Sequence, residues 1–265
     1  MIDDKLQKEL RERFNPDGSL LRKHQLRMLE MLKYIDTICK ENNISYWLSS
    51  GTCLGAVRHG GFIPWDDDVD IEMLRDDFEK FLKIFPENEK YALQTKKTDK
   101  YFLLPFAKVR DLNSRLDELW KNSALKYQGI FVDVFVLEES PRFAYVIFGV
   151  LSLFLQEIQS GANNRFMLWL SVQLKKILYG AIRLLTPVFN LFPNKTLNHA
   201  YGCGPGWKSR DADNIFPLTE ILFEGYKFPI PKDSDSYLKK MYGNYMQLPN
   251  LNKLRIHSRD CIFYN

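Results

Sequence analysis

Residues 68–73 read Asp-Val-Asp-Ile-Glu-Met, three acids alternating with three apolar residues. That two-residue period belongs to a β-strand with one face in a core, and it throws Asp68, Asp70 and Glu72 onto the opposite face. Asp68 and Asp70 then stand roughly 6 to 7 Å apart at Cα, within reach of one hard cation. Asp66 and Asp67 precede them directly, after Pro64-Trp65. So much like charge repels itself unless a metal or basic groups compensate it. A solvated acidic loop is the competing reading, and the apolar flanks weigh against it. Oxygen ligands with no thiol or imidazole pair nearby suit Mg²⁺ or Mn²⁺ better than zinc.

Upstream, Ser49-Ser50-Gly51-Thr52 reads as a bend between a strand over 44–48 and a short helix over 54–58. Gly51 lets backbone N–H groups approach a phosphate oxygen, Thr52 adds a hydroxyl donor, and a helix N-terminus favours an anion. Arg58, at the far end of that helix, is either a phosphate contact or a surface arginine facing the helix dipole. His59 reads as structural.

A second constraint comes from Gly129 to Leu137, GIFVDVFVL, an apolar strand with one ionisable residue, Asp133. A lone buried carboxylate costs several kcal/mol unless it is paired, metal-bound or protonated. A buried ion pair satisfies it. Membership of the site begun by Asp68 and Asp70 satisfies it too, and explains both features with one cation. Lys108, near the end of a strand expected over 101–109, either neutralises phosphate charge or faces solvent at an edge.

Around these strands, Met28, Leu32, Ile35 and Cys39 recur at helical steps until Asn42-Asn43, and Phe78, Phe81, Leu82 and Phe85 mark a helix opened by Asp76-Asp77. Ile221 to Ile230 reads as a hairpin turning at Glu224-Gly225, followed by a short helix over 236–242 that Gly243 ends. Gly202 to Gly206 is a loop without a phosphate-binding motif. Residues 142–193 are helical and apolar, with Lys175, Lys176 and Arg183 among the apolar positions. They cover the sheet, the favoured alternative, or lie on an anionic leaflet. Their longest apolar run, Phe143 to Leu155, is short of the ~20 residues that cross a bilayer. The expected architecture is a mixed α/β fold, one domain over 1–265 with a helical subregion at about 142–206.

The net charge of +4 favours anionic substrates or an anionic membrane face and is too weak to argue for nucleic acid. The four cysteines are scattered and form no Cys-x-x-Cys, so neither a zinc knuckle nor a disulfide framework is expected. The charged N-terminus lacks an apolar signal segment, so the expected location is cytoplasmic, with peripheral contact at the inner face of the plasma membrane.

GTCLGAVRHGGFIPWDDDVDI, beginning at Gly51, resembles the signature of the LicD family, which includes bacterial phosphocholine transferases and is related to fukutin-type sugar-phosphate transferases. The likeness extends to Ala107-Lys108-Val109-Arg110, to Val132-Asp133-Val134-Phe135, and to the segment FPLTEILFEGYKFPIPKDSDSYLKKMYGNYMQLPN. About Arg142 to Gly206 carries no motif of this kind. The resemblance implies a nucleotidyltransferase-like mixed sheet flanked by helices, with Gly51-Thr52 as the glycine element and Asp68, Asp70 and Asp133 as its three acidic positions. It implies transfer of phosphocholine, or a related phospho-alcohol, from CDP-choline or a similar CDP-alcohol to a hydroxyl of a glycan or glycolipid precursor, such as that of lipopolysaccharide or teichoic acid. Asp68 and Asp70 would hold Mg²⁺ on the donor diphosphate, and Asp133 would complete the metal site or accept the acceptor's proton.

Two further readings stand beside it. The same fold serves sugar- or polyol-phosphate transfer and nucleotidyl transfer, and a catalytically silent glycan- or membrane-binding protein is the third. The last has no reason to keep Asp133 in an apolar strand. Tyr46, Trp47, Trp65 and Tyr245 are candidates for an aromatic cage around a methylammonium group. His257 and Arg259, in the closing HSRDCIFYN, are the weakest site candidates.

Overall fold

The structure is a computed structural model that describes residues 1–86, 88–118, 124–161, 164–189, 191–192, 195–254 and 258–264. Two helices open the chain, α1 (Asp4–Phe14) and α2 (Leu20–Glu41). The Ser19 hydroxyl accepts from Arg22 N at 3.2 Å to cap α2, and the chain leaves it through Asn42 and Asn43, the latter at φ 50°. Met28, Met31, Leu32 and Ile35 form its fully buried stripe.

Next come β1 (Trp47–Leu48), α3 (Ser50–His59), β2 (Asp70–Leu74) and α4 (Arg75–Ile84), then β3 (Tyr91–Gln94), β4 (Ala107–Asp111), β5 (Ser114–Glu118) and β6 (Phe131–Pro141). A helical pair follows, α5 (Arg142–Ser160) and α6 (Arg165–Phe189), and then β7 (Lys195–His199). The chain continues through α7 (Ala212–Ile215), β8 (Thr219–Phe223), β9 (Tyr226–Ile230), α8 (Ser234–Tyr242) and β10 (Ser258–Phe263).

The main sheet runs β1-β2-β6-β4-β3, with β7 also on β6. Only the β2–β6 pairing is parallel, so the sheet is mixed. Strand β6 is its axis. Val132, Val134 and Val136 point from it into a core shared with Ile71, Met73, Val109 and the stripe of α2. The alternate residues of the same strands face the other way and build the site.

The hairpin turns at Glu224 and Gly225 as expected, both at positive φ (50° and 82°). Its Glu224 carboxylate holds Arg22 at 2.6 Å and accepts from Phe62 N at 3.1 Å, which pins the hairpin to α2 and to the loop before β2. Several strand expectations are corrected: the strand read over 44–48 is only β1 (Trp47–Leu48), and β5 and β10 were not anticipated. The strand placed at 101–109 starts only at Ala107, because Pro105 has no N–H to offer a ladder. β7 lies in the region without a motif and was not anticipated. Two helices form over 142–193 as expected, although α6 runs through Thr186-Pro187, where an interruption was expected, and ends at Phe189; a second, smaller core packs Tyr145 and Phe148 of α5 against Leu178 and Ile182 of α6. Among the described residues, no helix is long and apolar enough to cross a membrane.

Candidate active site

In the sheet register Asp70 of β2 pairs with Asp133 of β6, and Asp133 pairs on its other side with Lys108 of β4. Neighbouring strands lie about 4.8 Å apart, so these three side chains form one row on the face turned away from the main core. The Lys108 ammonium sits 2.7 Å from Asp133 Oδ1, a buried ion pair. It also lies 3.3 Å from the centre of the Phe131 ring. The two ways of satisfying Asp133 are thus both present: it has an ion pair, and it stands beside Asp70.

Asp68 precedes the strand, which begins at Asp70, yet Asp133 N donates to Val69 O at 2.8 Å and carries the β2–β6 pairing one residue back towards it. Burial drives the Asp70 carboxyl well above the usual carboxylate range, and the charges of Asp68, Asp133 and Asp66 push it further, against the pull of Lys108. Asp133 is also raised by burial, with Lys108 opposing and Asp68 adding to the rise. Four acids therefore share one field, and Lys108 is the cation that pulls on both Asp70 and Asp133. Among the described residues no three carboxylate, imidazole or thiol groups already form a closed metal cluster. The oxygen-only chemistry of the acids would suit a hard divalent ion better than zinc.

The glycine element is placed differently from expectation. Helix α3 starts at Ser50, with Ser49 as its N-cap, so Gly51 and Thr52 lie in its first turn and not in a bend before it. Ser49 is itself a favoured capping residue type, the signal that an earlier start was available. A Cβ at Gly51 would come within 3.0 Å of Asp66 Oδ2, so the glycine makes room for that carboxylate at the helix N-terminus. Thr52 Oγ1 accepts from Asp70 N at 2.9 Å, which fixes the start of β2 against α3.

Arg58 follows neither expected course. It is buried, its Nη1 donates to Tyr245 O at 2.7 Å, and its Nε donates to His59 Nε2 at 2.8 Å. Those bonds fasten residue 245 to α3 and do not point into the cavity. His59 is structural as expected: with Nε2 accepting, Nδ1 carries the proton towards Gln7 Oε1 at 2.6 Å. Burial and the Arg58 charge drive its pKa down to about 3.

A cavity of about 380 Å³ opens against the row, lined at one end by Asp67, Asp68, Lys108 and Asp133 and beyond them by Phe106, Phe131, Phe135 and Trp207. Phe106 and Phe135 lie 4.5 Å apart, and Phe135 and Trp207 5.3 Å. None of the four residues expected for a cage lines this aromatic-walled cavity. Trp47 is buried with its Nε1 donating to Glu72, Tyr46 bonds Asp36, Trp65 packs on Phe14, and Tyr245 bonds Asp235. The signal was present in the two-residue period, which puts Phe131 and Phe135 on the face of Asp133, and Phe106 on that of Lys108. Gly202, Cys203 and Gly204 line the same cavity, so the glycine loop has a place at the site after all.

One step along β2, Glu72 is fully buried and closed in. Arg210 Nη2 lies 2.6 Å and His199 Nε2 3.1 Å from its Oε1, while Trp47 Nε1 at 2.9 Å and the Tyr237 hydroxyl at 3.3 Å donate to Oε2. Burial alone would raise its pKa, but Arg210 and His199 bring it to about 2. His199 in turn meets the ring of Trp207 edge-on at 4.7 Å, so this lock also holds the aromatic wall.

Residues 43–145 match a family described as "LicD/FKTN/FKRP, nucleotidyltransferase domain". The chain contains a LicD-family domain. That LicD-family span holds Gly51, Thr52, Asp68, Asp70, Lys108 and Asp133. The lipopolysaccharide cholinephosphotransferase LicD of Haemophilus influenzae is 27% identical over 252 residues, which cover 86% of this chain and 92% of that relative. Shorter likenesses join it to the human ribitol 5-phosphate transferase FKRP, 42% identical over 48 residues (18% of this chain, 10% of the relative). The mouse ribitol-5-phosphate transferase FKTN is 39% identical over 62 residues (23% and 13%). Trp207, His199 and Arg210 lie beyond the LicD-family span, where no motif guided the reading. His257 lies outside the described residues, and of Arg259 only the backbone is described.

Proposed function

We propose that this protein is a metal-dependent transferase that moves phosphocholine, or a related phospho-alcohol, from a CDP-activated donor to a hydroxyl of a cell-surface glycan or glycolipid precursor. The observation that carries this reading is an aromatic-lined cavity into which Asp68, Asp133 and Lys108 open, with Asp70 beside Asp133 in the sheet register. The long likeness to a lipopolysaccharide cholinephosphotransferase supports it.

Asp68 and Asp70, with Asp133 beside them, are the residues to hold Mg²⁺ or Mn²⁺, which when bound supplies neutralising charge for the donor diphosphate and the departing nucleotide. Lys108 stands at the same row to meet phosphoryl oxygens. Asp133 completes that metal site or takes the proton of the attacking hydroxyl, a role for which burial has moved its pKa in the right direction. The N-terminus of α3 faces the same acids through Gly51. Phe106, Phe135 and Trp207 line the cavity as aromatic partners for a quaternary ammonium group.

That aromatic wall favours choline over a polyol such as ribitol, whose hydroxyls need hydrogen-bonding partners. The test is a donor screen with purified protein, Mg²⁺ and a panel of CDP-alcohols, read by CMP release and product mass. Release of CMP from CDP-choline, abolished by chelation, is expected. Pyrophosphate release with the nucleotide left on the product would indicate nucleotidyl transfer, and silence towards every CDP-alcohol with acceptor present would overturn the proposal.

A further inference from the structure

The helical pair buries one side in the second core and leaves the other bare. On α5, Phe143, Ile147, Val150, Leu151 and Phe154 recur at steps of three and four and are 45–65% exposed. On α6, Phe166, Trp169, Ile177, Leu184 and Val188 are 48–78% exposed. The two stripes join where the Phe143 ring lies 5.8 Å from Phe189 and 5.2 Å from Phe192. Singly exposed apolar residues need no explanation, but ten on one continuous face do.

Charge decides what covers this face. Helix α6 carries Arg165, Lys175, Lys176 and Arg183 and no acid, and Glu157 is the one acid in α5. Lys176 and Arg183 are exposed, and each precedes a stripe residue, Ile177 or Leu184, so both flank the apolar stripe about 100° round the helix. An apolar face edged by basic side chains, on helices not long and apolar enough to span, is the composition of helices that lie in a membrane interface.

A second copy of the chain fits less well. A two-fold pairing of this face would bring Lys176 and Arg183 towards their own equivalents with no α6 acid to meet them. We infer that α5 and α6 dock the protein on an anionic bilayer surface, the apolar stripes entering the headgroup boundary and Lys176 and Arg183 meeting lipid phosphates. Leu153 and Gln156 of α5 also line the cavity, so docking sets the cavity beside the leaflet. On the function proposed above, that is where a glycolipid acceptor resides; the docking itself does not depend on which donor is used.

The experiment is co-sedimentation of the full chain with phosphatidylcholine vesicles, with and without phosphatidylglycerol, at low and high salt. Binding is expected to the anionic vesicles, weakened by salt. Lys176→Ala/Arg183→Ala should lower it about fivefold per charge. Ile177→Glu/Leu184→Glu should lower it at least tenfold with the melting midpoint and CMP release in detergent-free solution unchanged, since both residues face solvent. Wild-type protein that stays in the supernatant with anionic vesicles would overturn the inference, as would binding untouched by the glutamate pair. A concentration-dependent dimer dissolved by the same pair, without vesicle binding, would overturn it in favour of self-association.

Discussion

Asp70 and Glu72 are two residues apart on one strand, face the same way and are both buried, yet their surroundings treat them oppositely. Glu72 meets an arginine, a histidine, an indole N–H and a phenol, and its pKa falls to about 2. Asp70 meets three further aspartates, with Lys108 already set against Asp133, and its pKa rises. Burial is common to both and does not separate them. What separates them is that Glu72 has basic partners bonded to it directly, whereas on Asp70 the neighbouring acids outweigh the pull of Lys108. A carboxylate matched by its own partners holds a fold together, whereas one whose pKa is raised among other acids is a candidate for the chemistry of a site.

Substitution should break this contrast cleanly. Asp70→Asn or Asp133→Asn should cut CMP release by about a thousandfold or more, the several kcal/mol of transition-state stabilisation that cation-assisted phosphoryl transfer loses with its ligands. Next in size, Glu72→Gln should cost about 3–5 kcal/mol in urea unfolding, because Arg210 is left buried without its counter-charge. If Glu72→Gln instead unfolded at the wild-type midpoint, the lock would carry no weight.

A smaller effect comes from His59, a buried group on neither side of the contrast. Its folded pKa of about 3 lies below its ordinary 6.5, so between those values the unfolded chain binds a proton that the folded one refuses. Its contribution is therefore complete above pH 6.5 and is lost as pH falls towards 3. The expected cost is about 1 kcal/mol at pH 5.5, and His59→Gln should flatten that part of the stability–pH curve.

Much of the acidic row was legible because a strand's period is short and strict. Alternation at 68–73 and a single Asp at 133 were enough to put two carboxylates on one face, and the hairpin announced itself through Glu224-Gly225. The start of α3 was misplaced because Gly and Thr are weak helix formers; Ser49 stands at the N-cap without a side-chain capping bond, and the Thr52 bond to Asp70 N is what ties the first turn down. Arg58 could not be placed from its own helix, since its partner is a carbonyl at residue 245. The same holds for Glu72, whose partners come from residues 199 and 210: long-range pairings leave no local period to read. The aromatic wall is an intermediate case, with three of its rings implied by strand alternation and Trp207 supplied by a loop.

The most direct test of the central contrast is the thermal midpoint of Asp70→Asn protein measured without divalent metal, beside that of Glu72→Gln. Removing a carboxylate whose pKa the neighbouring acids push up should leave the midpoint unchanged or raise it, even as turnover disappears. A fall in Asp70→Asn comparable to that in Glu72→Gln would show that Asp70 is another structural anchor, and the acidic face of the sheet would no longer be a site awaiting a cation.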